Sequence, residues 1–305
     1  MNIQLSVDGP LDVAATLARY HLWGEDPANG VVDHAFLRVA RVGARLLPYM
    51  VRWRGGIDDV RLTISAPGPC AATAATAVMA EVRKIFGLDF DLAAFYRMAK
   101  ADAALAEIVE ALPGLRPTLT PNPLEMLVGS ITAQQVNLAF AFTLRGRLVR
   151  RYGTALRIAG HTIYAFPAAS VLATVDVSEL RSMQFSQRKA EYVRDVARAV
   201  VDGLDIDGLA GSDDTAVIER LTALRGLGRW TADWFLARCA GRGRVCPAGD
   251  LAVRKAFDHY YGRGRSLSEE AIRRRAARWG PHQNLAIHYL LAGMRRRQAS
   301  MGGGA

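Results

Sequence analysis

The sequence predicts an α+β protein: a small antiparallel β-sheet unit over residues 1–95, a large all-helical domain over 96–297 and a disordered tail at 298–305. Three observations carry this reading. "IQLSV", "HAFLRVARVG", "RLLPYMVRW" and "VRLTISAP" are short β-leaning runs, several alternating in polarity, punctuated by Asp-Gly, Gly-Gly and Pro-Gly. From Tyr96 onward the apolar residues recur at helical spacing instead. At 305 residues and 50% hydrophobic, the chain is long enough to bury a substantial core.

Two helices accompany the strands. "PLDVAATLARYHLW" has Asp12 as its cap, and the Ala-rich "CAATAATAVMAEVRKIFGL" is closed by Gly87 near its end. In the second domain amphipathic segments follow one another, joined by Gly, Pro and Ser breaks. They include "PLEMLVGSITAQQVNLAFAFTLRGRLVRRYG", "SQRKAEYVRDVARAVVDGL", "DDTAVIERLTALRG", "DLAVRKAFDHYYG" and "PHQNLAIHYLLAGMRRR". No repeat of fixed period is present, and the only low-complexity stretch is the tail "QASMGGGA".

The formal net charge is +10 and nearly all of the excess is arginine, since lysine occurs only at Lys84, Lys100, Lys189 and Lys255. That balance favours a polyanionic partner, nucleic acid before membrane. A GC-rich genome that inflates Arg and Ala accounts for the same composition, so charge needs a motif beside it. Cys70, Cys239 and Cys246 are too few and odd in number for a disulfide scaffold, which points to a reducing compartment. The first residues have no basic and apolar signal regions, and no uncharged apolar stretch reaches 18 residues. A cytoplasmic protein, monomeric and without a membrane partner, is the expectation.

"LRGLGRWTADWF" places Gly226 and Gly228 between two helical patterns. Glycine permits positive φ and leaves backbone amides uncovered. Amides at a helix N-terminus, backed by the dipole, bind anions such as a DNA phosphate. Gly-x-Gly alone also fits an ordinary glycine turn between helices. The fuller pattern is more specific. Leu224-x-Gly226-Leu227-Gly228-x-x-Thr231-Ala232 resembles the helix-hairpin-helix element, and "CPAGDLAVRKAF" resembles the Gly/Pro-rich loop and aspartate that complete the HhH-GPD signature of DNA glycosylases. The β-rich first unit, "LVGSITAQQVNLAFA" and "FSQRKAEYV" are similar to the bacterial DNA-3-methyladenine glycosylase II family. The resemblance covers nearly the whole chain and is most specific at the motif core.

It implies a helix-hairpin-helix glycosylase domain that acts on damaged bases in double-stranded DNA. Leu224, Gly226, Leu227, Gly228, Arg229 and Thr231 become the expected DNA-binding residues of the hairpin. Asp250 becomes the expected catalytic residue. Asp also caps helices well, and Asp250 opens "LAVRKAFDHYYG"; the two roles are compatible, because the helix N-terminus stabilises the carboxylate. Cleaving an N-glycosidic bond builds positive charge on the sugar, which a fixed carboxylate stabilises while it orients or activates water. Ordinary glycosidases need a second carboxyl to protonate the leaving group, but a base made cationic by alkylation already carries its charge.

Trp230 and Trp234 lie four apart on one helix face, a spacing that suits a core as well as a pocket. The resemblance puts Trp230 where bifunctional relatives carry a Schiff-base lysine, so no lyase activity is expected. An aromatic wall also suits flat cations such as 3-methyladenine or 7-methylguanine, with cation-π stacking of about 2 kcal/mol, once the base leaves the duplex. Tyr289 and Tyr20 are the further pocket candidates. The resemblance places Gln135 as the wedge that fills the vacated gap, with Gln134 beside it; both also fit a solvated helix face. Arg188 and Lys189 fit either a phosphate contact or a solvated charge pair.

No cofactor is expected. The hairpin's carbonyls can hold an alkali cation, Cys246 stands without the further cysteines of an iron-sulfur cluster, and His282 and His288 lack a metal-ligand set. Two alternatives stay open. One is a non-catalytic DNA-binding hairpin protein. The other is a glycosylase for a neutral lesion, hypoxanthine or uracil, which requires donors to the base that the sequence does not identify.

Overall fold

The computed structural model describes residues 1–302. A five-stranded antiparallel sheet forms the first unit, in the order β1-β5-β4-β3-β2. Its strands are β1 (Asn2–Ser6), β2 (Asn29–Val32), β3 (Ala35–Val42), β4 (Arg45–Arg54) and β5 (Arg61–Ser65). All four predicted runs are strands, and the short β2 joins them through a turn in which Asp33 and His34 both take positive φ. Asp12 caps the helix Val13–Leu17 by accepting from the Ala15 amide at 2.9 Å.

The run "AFLRVARV" in β3 is nearly all buried because both faces of the sheet are covered. Alternate residues of a strand point to opposite sides. Phe36 and Ala40 pack with Val78, Val82 and Ile85 of the helix Ala72–Ile85, whereas Ala35, Leu37 and Val39 pack with Ile158, Ile163 and Ala165.

Those last three residues correct the all-helical expectation for 96–297. Residues 154–165 form a hairpin of β6 (Thr154–Ile158) and β7 (His161–Ala165). Its two-residue loop, Ala159-Gly160, has positive φ at both positions, as a tight hairpin requires. Alanine there hides the turn signal that Asn-Gly would have carried.

The remaining chain is helical around one large core that includes Leu127, Ile131, Val193, Ala232, Phe235 and Phe257. Residue 95 falls inside the helix Leu92–Ala99, and Phe95 belongs to this larger core. Arg116, 2% exposed, ties the two units together. Its guanidinium donates to the carbonyls of Asp8 (2.8 Å), Pro10 (3.0 Å), Gly87 (3.1 Å) and Phe90 (3.1 Å). The last helix runs Gln283–Gly302, so residues 298–302 continue it rather than form a disordered tail, extending the helical backbone hydrogen bonds; 303–305 lie outside the described residues.

Candidate active site

The hairpin joins the helices Asp214–Thr222 and Arg229–Arg238. Leu227, 5% exposed, plugs the turn into the core. Gly226 has φ +87, and a Cβ there would meet the Tyr192 ring at 2.3 Å, so both conformation and space demand glycine. Gly228 differs from the expectation of positive φ: its φ of −119 is open to any residue. A Cβ on Gly228 would meet nothing within 4 Å. Open space therefore lies before it.

Asn137, Ser186 and Asp213 each cap a helix with a side-chain oxygen, but Gly228 caps Arg229–Arg238 without one. The first amides of that helix stay free for an external acceptor. Arg229 stands at this end, 56% exposed in its side chain, and its Nε donates to Asp233 at 2.7 Å. Asp233 is buried and also accepts from Arg273 at 3.0 Å. Leu224 is half-buried. Thr231 is 1% exposed and faces the core, so it cannot reach DNA; two positions into the helix it has rotated away from the open end.

Beside the hairpin, the helix Pro123–Ala133 ends and Leu138–Tyr152 begins. Gln134 donates its amide to the Gly226 carbonyl at 2.8 Å, so it braces this turn against the hairpin. Gln135 is exposed at the apex with φ +54, a left-handed conformation uncommon outside glycine. Both lie in the turn, not on a helix face. Lys189 is 8% exposed and donates to the Thr132 carbonyl at 2.9 Å, which removes it from phosphate contact; burial lowers its pKa. Arg188 stays exposed.

Asp250 caps the helix Leu251–Tyr261. Its Oδ1 accepts from the amides of Ala252 (2.8 Å) and Val253 (3.1 Å). Its Oδ2 accepts from the indole nitrogens of Trp230 (2.8 Å) and Trp234 (3.0 Å). The i,i+4 spacing brings both indoles to one oxygen. The tryptophans thus hold the carboxylate as well as line the space before it.

That space is a pocket of about 250 Å³. Small-molecule sites run to roughly 300–1,000 Å³, so it suits a single flat base. Trp230, Trp234, Asp250 and Tyr20 line it, and Leu22 (49% exposed) and Leu138 (44% exposed) stand at its mouth. Tyr20 is buried, with Phe36 at 5.5 Å between ring centroids, and burial raises its pKa.

Tyr289 is not in the pocket. It is fully buried, donates to the Leu115 carbonyl at 2.9 Å and pairs with the Tyr96 hydroxyl at 3.0 Å. Leu291 and Arg295 line the pocket from the same helix, four apart. A residue two positions before Leu291 points to nearly the opposite side.

The sequence reading missed the pocket's charged walls. On one, Glu125 accepts from Arg38 (2.7 Å), Arg145 (2.7 Å) and Asn29 (3.0 Å), and Arg145 also bonds Asp26. Burial opposes ionisation of Glu125, yet the two guanidiniums win and hold its pKa at about 2. On the other wall Arg19, Arg238 and Arg295 approach the pocket without a carboxylate partner among the described residues. Polar partners so far apart in sequence leave no local pattern. Only the apolar periodicity of the helices carrying them is visible there.

Cys239 and Cys246 are buried free thiols, pushed up to about 12 by burial. His288 is buried and bonded to the Asn284 carbonyl at 2.8 Å, while His282 lies beside Phe95 at 6.1 Å between ring centroids. No group of three or more His, Cys, Asp or Glu among the described residues could hold a metal ion. No described helix is long and apolar enough to cross a membrane.

Residues 128–282, which hold the hairpin, the loop and Asp250, match the family described as HhH-GPD superfamily base excision DNA repair protein. The chain belongs to this superfamily. The HhH-GPD chain is 29% identical over 210 residues to "DNA-3-methyladenine glycosylase" of Bacillus subtilis, covering 68% of this chain and 69% of that one. It is 32% identical over 298 residues to "Probable bifunctional transcriptional activator/DNA repair enzyme AlkA" of Mycobacterium tuberculosis H37Rv, covering 95% of this chain and 56% of that one. Among solved structures, "3-methyladenine dna-glycosylase from Archaeoglobus fulgidus" superposes with a TM-score of 0.85 at 25% identity, covering 96% of this chain and 98% of that one.

Proposed function

We propose that this protein is a monofunctional DNA glycosylase that removes alkylated purines, of the 3-methyladenine and 7-methylguanine type, from double-stranded DNA. It hydrolyses the N-glycosidic bond and leaves an abasic site. The observation that carries this reading is Asp250, clamped by two amides and two indoles at the edge of a base-sized pocket.

A damaged base cannot react inside the stack, so it swings out into the pocket. The free amides after Gly228 take a phosphate of the same strand, and exposed Gln135 fills the vacated gap. Asp250 then faces the sugar as positive charge develops there. A carboxylate has about four acceptor sites, and four donors already occupy those of Asp250. It therefore acts as a fixed, preorganised charge rather than as a base that deprotonates water. Trp230 supplies no amine, and no lysine lines the pocket, so no Schiff base forms and no strand is cut. The reading needs no cofactor; an alkali cation at the hairpin carbonyls is compatible with it.

The test is release of methylated bases from alkylated duplex DNA by wild type and Asp250→Asn. We expect wild-type release without nicking, and a loss of about 10²–10³-fold in the variant, the scale for one preorganised electrostatic group. In the variant an amide NH₂ must face either two backbone or two indole donors, so its melting temperature is measured alongside. A folded variant that excises at the wild-type rate rules out the assignment.

A further inference from the structure

The pocket's second wall bears on which bases the site accepts. Arg238, at the end of the hairpin's second helix, has its guanidinium 4.9 Å from the centroid of the Trp234 ring, whose indole nitrogen bonds Asp250. Arg19, from the turn after the first helix, lies 5.7 Å from the Tyr20 ring centroid, and its Nη1 is buried with no hydrogen-bond partner. Arg295 reaches the same pocket from the last helix. These three form no salt bridge among the described residues. The pocket's other carboxylates, Asp26 and Glu125, are taken up by Arg38, Arg145 and Asn29. Burial lowers the pKa of Arg238 well below its ordinary value, and Arg19 and Arg295 add to that.

Crowding three unpaired cations into one pocket is costly, and a ligand that supplies acceptors relieves the cost. Guanidinium groups donate and never accept. Purines differ in what they offer such a wall: guanine presents its O6 as an acceptor, whereas adenine presents an amino donor at the same position. Alkylation at N7 or loss of the 2-amino group leaves O6 in place. A 3-alkyladenine instead brings an amino donor toward three donors; 7-alkylguanine carries the same positive charge, so the 6-position edge is what tells the two apart.

We infer that the pocket receives its base with a 6-oxo edge against Arg19, Arg238 and Arg295, so that these arginines favour 6-oxopurines, 7-alkylguanine and hypoxanthine, over 6-aminopurines such as 3-alkyladenine. The inference deepens the proposed glycosylase reading and rests on it. It also supplies the base donors that a neutral lesion requires.

The experiment measures 7-methylguanine and 3-methyladenine released together from one methylated duplex, and hypoxanthine from a second duplex. Wild type is compared with Arg238→Met, Arg19→Met and Arg295→Met. In each folded variant the loss on 7-methylguanine and hypoxanthine exceeds the loss on 3-methyladenine, by about tenfold for Arg238→Met, the size of one good guanidinium contact to a base edge. Arg295→Met, altered at an exposed rim residue, keeps the test alive if Arg238→Met does not fold. If the three bases fall in equal proportion in every folded variant, the inference is overturned while the glycosylase reading stands. If wild type releases none of them, the glycosylase reading itself fails.

Discussion

Four arginines line the pocket and a fifth, Arg38, bonds the Glu125 of its wall, and the five divide into two kinds. Arg38 and Arg145 are spent on Glu125, Glu81 and Asp26, at the joint between the sheet and the helical core. Arg19, Arg238 and Arg295 have aromatic rings or solvent beside them and form no ion pair among the described residues, although the Asp250 carboxylate acts on Arg238 from the same pocket. The first set spans elements: Arg38 comes from β3, Glu81 from the helix Ala72–Ile85, Glu125 and Arg145 from two helices of the larger domain. Paired charge of that kind holds parts in register. Charge on a cavity wall that pairs with no acid joins no two elements in this way and leaves its donors to what enters.

The largest expected effect comes from breaking the paired set. Arg145→Met strands Asp26 and part of Glu125 without a cation in a buried site. Removing one partner of a buried pair costs about 3–5 kcal/mol. Denaturant unfolding should show a loss of that size. A loss under about 1 kcal/mol would mean that water or rearrangement satisfies the acids, and the contrast between the walls would weaken.

Acid should attack the same joint. Glu125 is held at about 2 in the folded protein against an ordinary 4.5. A depressed carboxylate contributes stability that is present above the unfolded value and is lost as pH falls through the folded one. The window is therefore from about 4.5 down to about 2, with roughly 3 kcal/mol at stake at 1.36 kcal/mol per pH unit. Glu81 works the other way: burial raises its pKa, so its contribution is lost as pH rises past 4.5. Unfolding measured across this range should show a net loss toward acid, and Glu125→Gln should flatten it. An unflattened profile in that variant would assign the acid loss to other carboxylates.

The two walls also differ from the hairpin in how far sequence reveals them. Gly226, Gly228, Trp230, Trp234 and Asp250 lie within a short run of chain, where turn conformation, helix start and i,i+4 spacing dictate geometry locally. The strands of the first unit were legible for the same reason, through alternation. Tyr289 was misplaced because one helix face carries Leu291 and Arg295 while the neighbouring residue turns inward, a choice made by packing against Phe95 and Tyr96. The hairpin at 154–165 was hidden by an Ala-Gly turn. Asn29, Arg38, Glu125 and Arg145 are joined by pairing across elements, which no window of sequence contains. Arg19, Arg238 and Arg295 look individually like the surface arginines of a basic protein.

The smallest expected effect is the sharpest test of the contrast. Arg238→Met removes a half-buried guanidinium but leaves no acid unpaired, since Arg238 bonds to none. What is lost is its contact with the Trp234 ring, on the order of 0.5–2 kcal/mol for a cation-π pair. What is gained is relief from desolvation and from the repulsion of Arg19 and Arg295. These oppose one another, and methionine fills a similar apolar volume. Stability should therefore change by about 1 kcal/mol or less, in either direction, where Arg145→Met loses several. Adding salt should shift the change toward destabilisation, because screening weakens the repulsion that the substitution relieves. A loss of Arg145 size at position 238 would show that Arg238 is part of the frame rather than of the wall that meets the base.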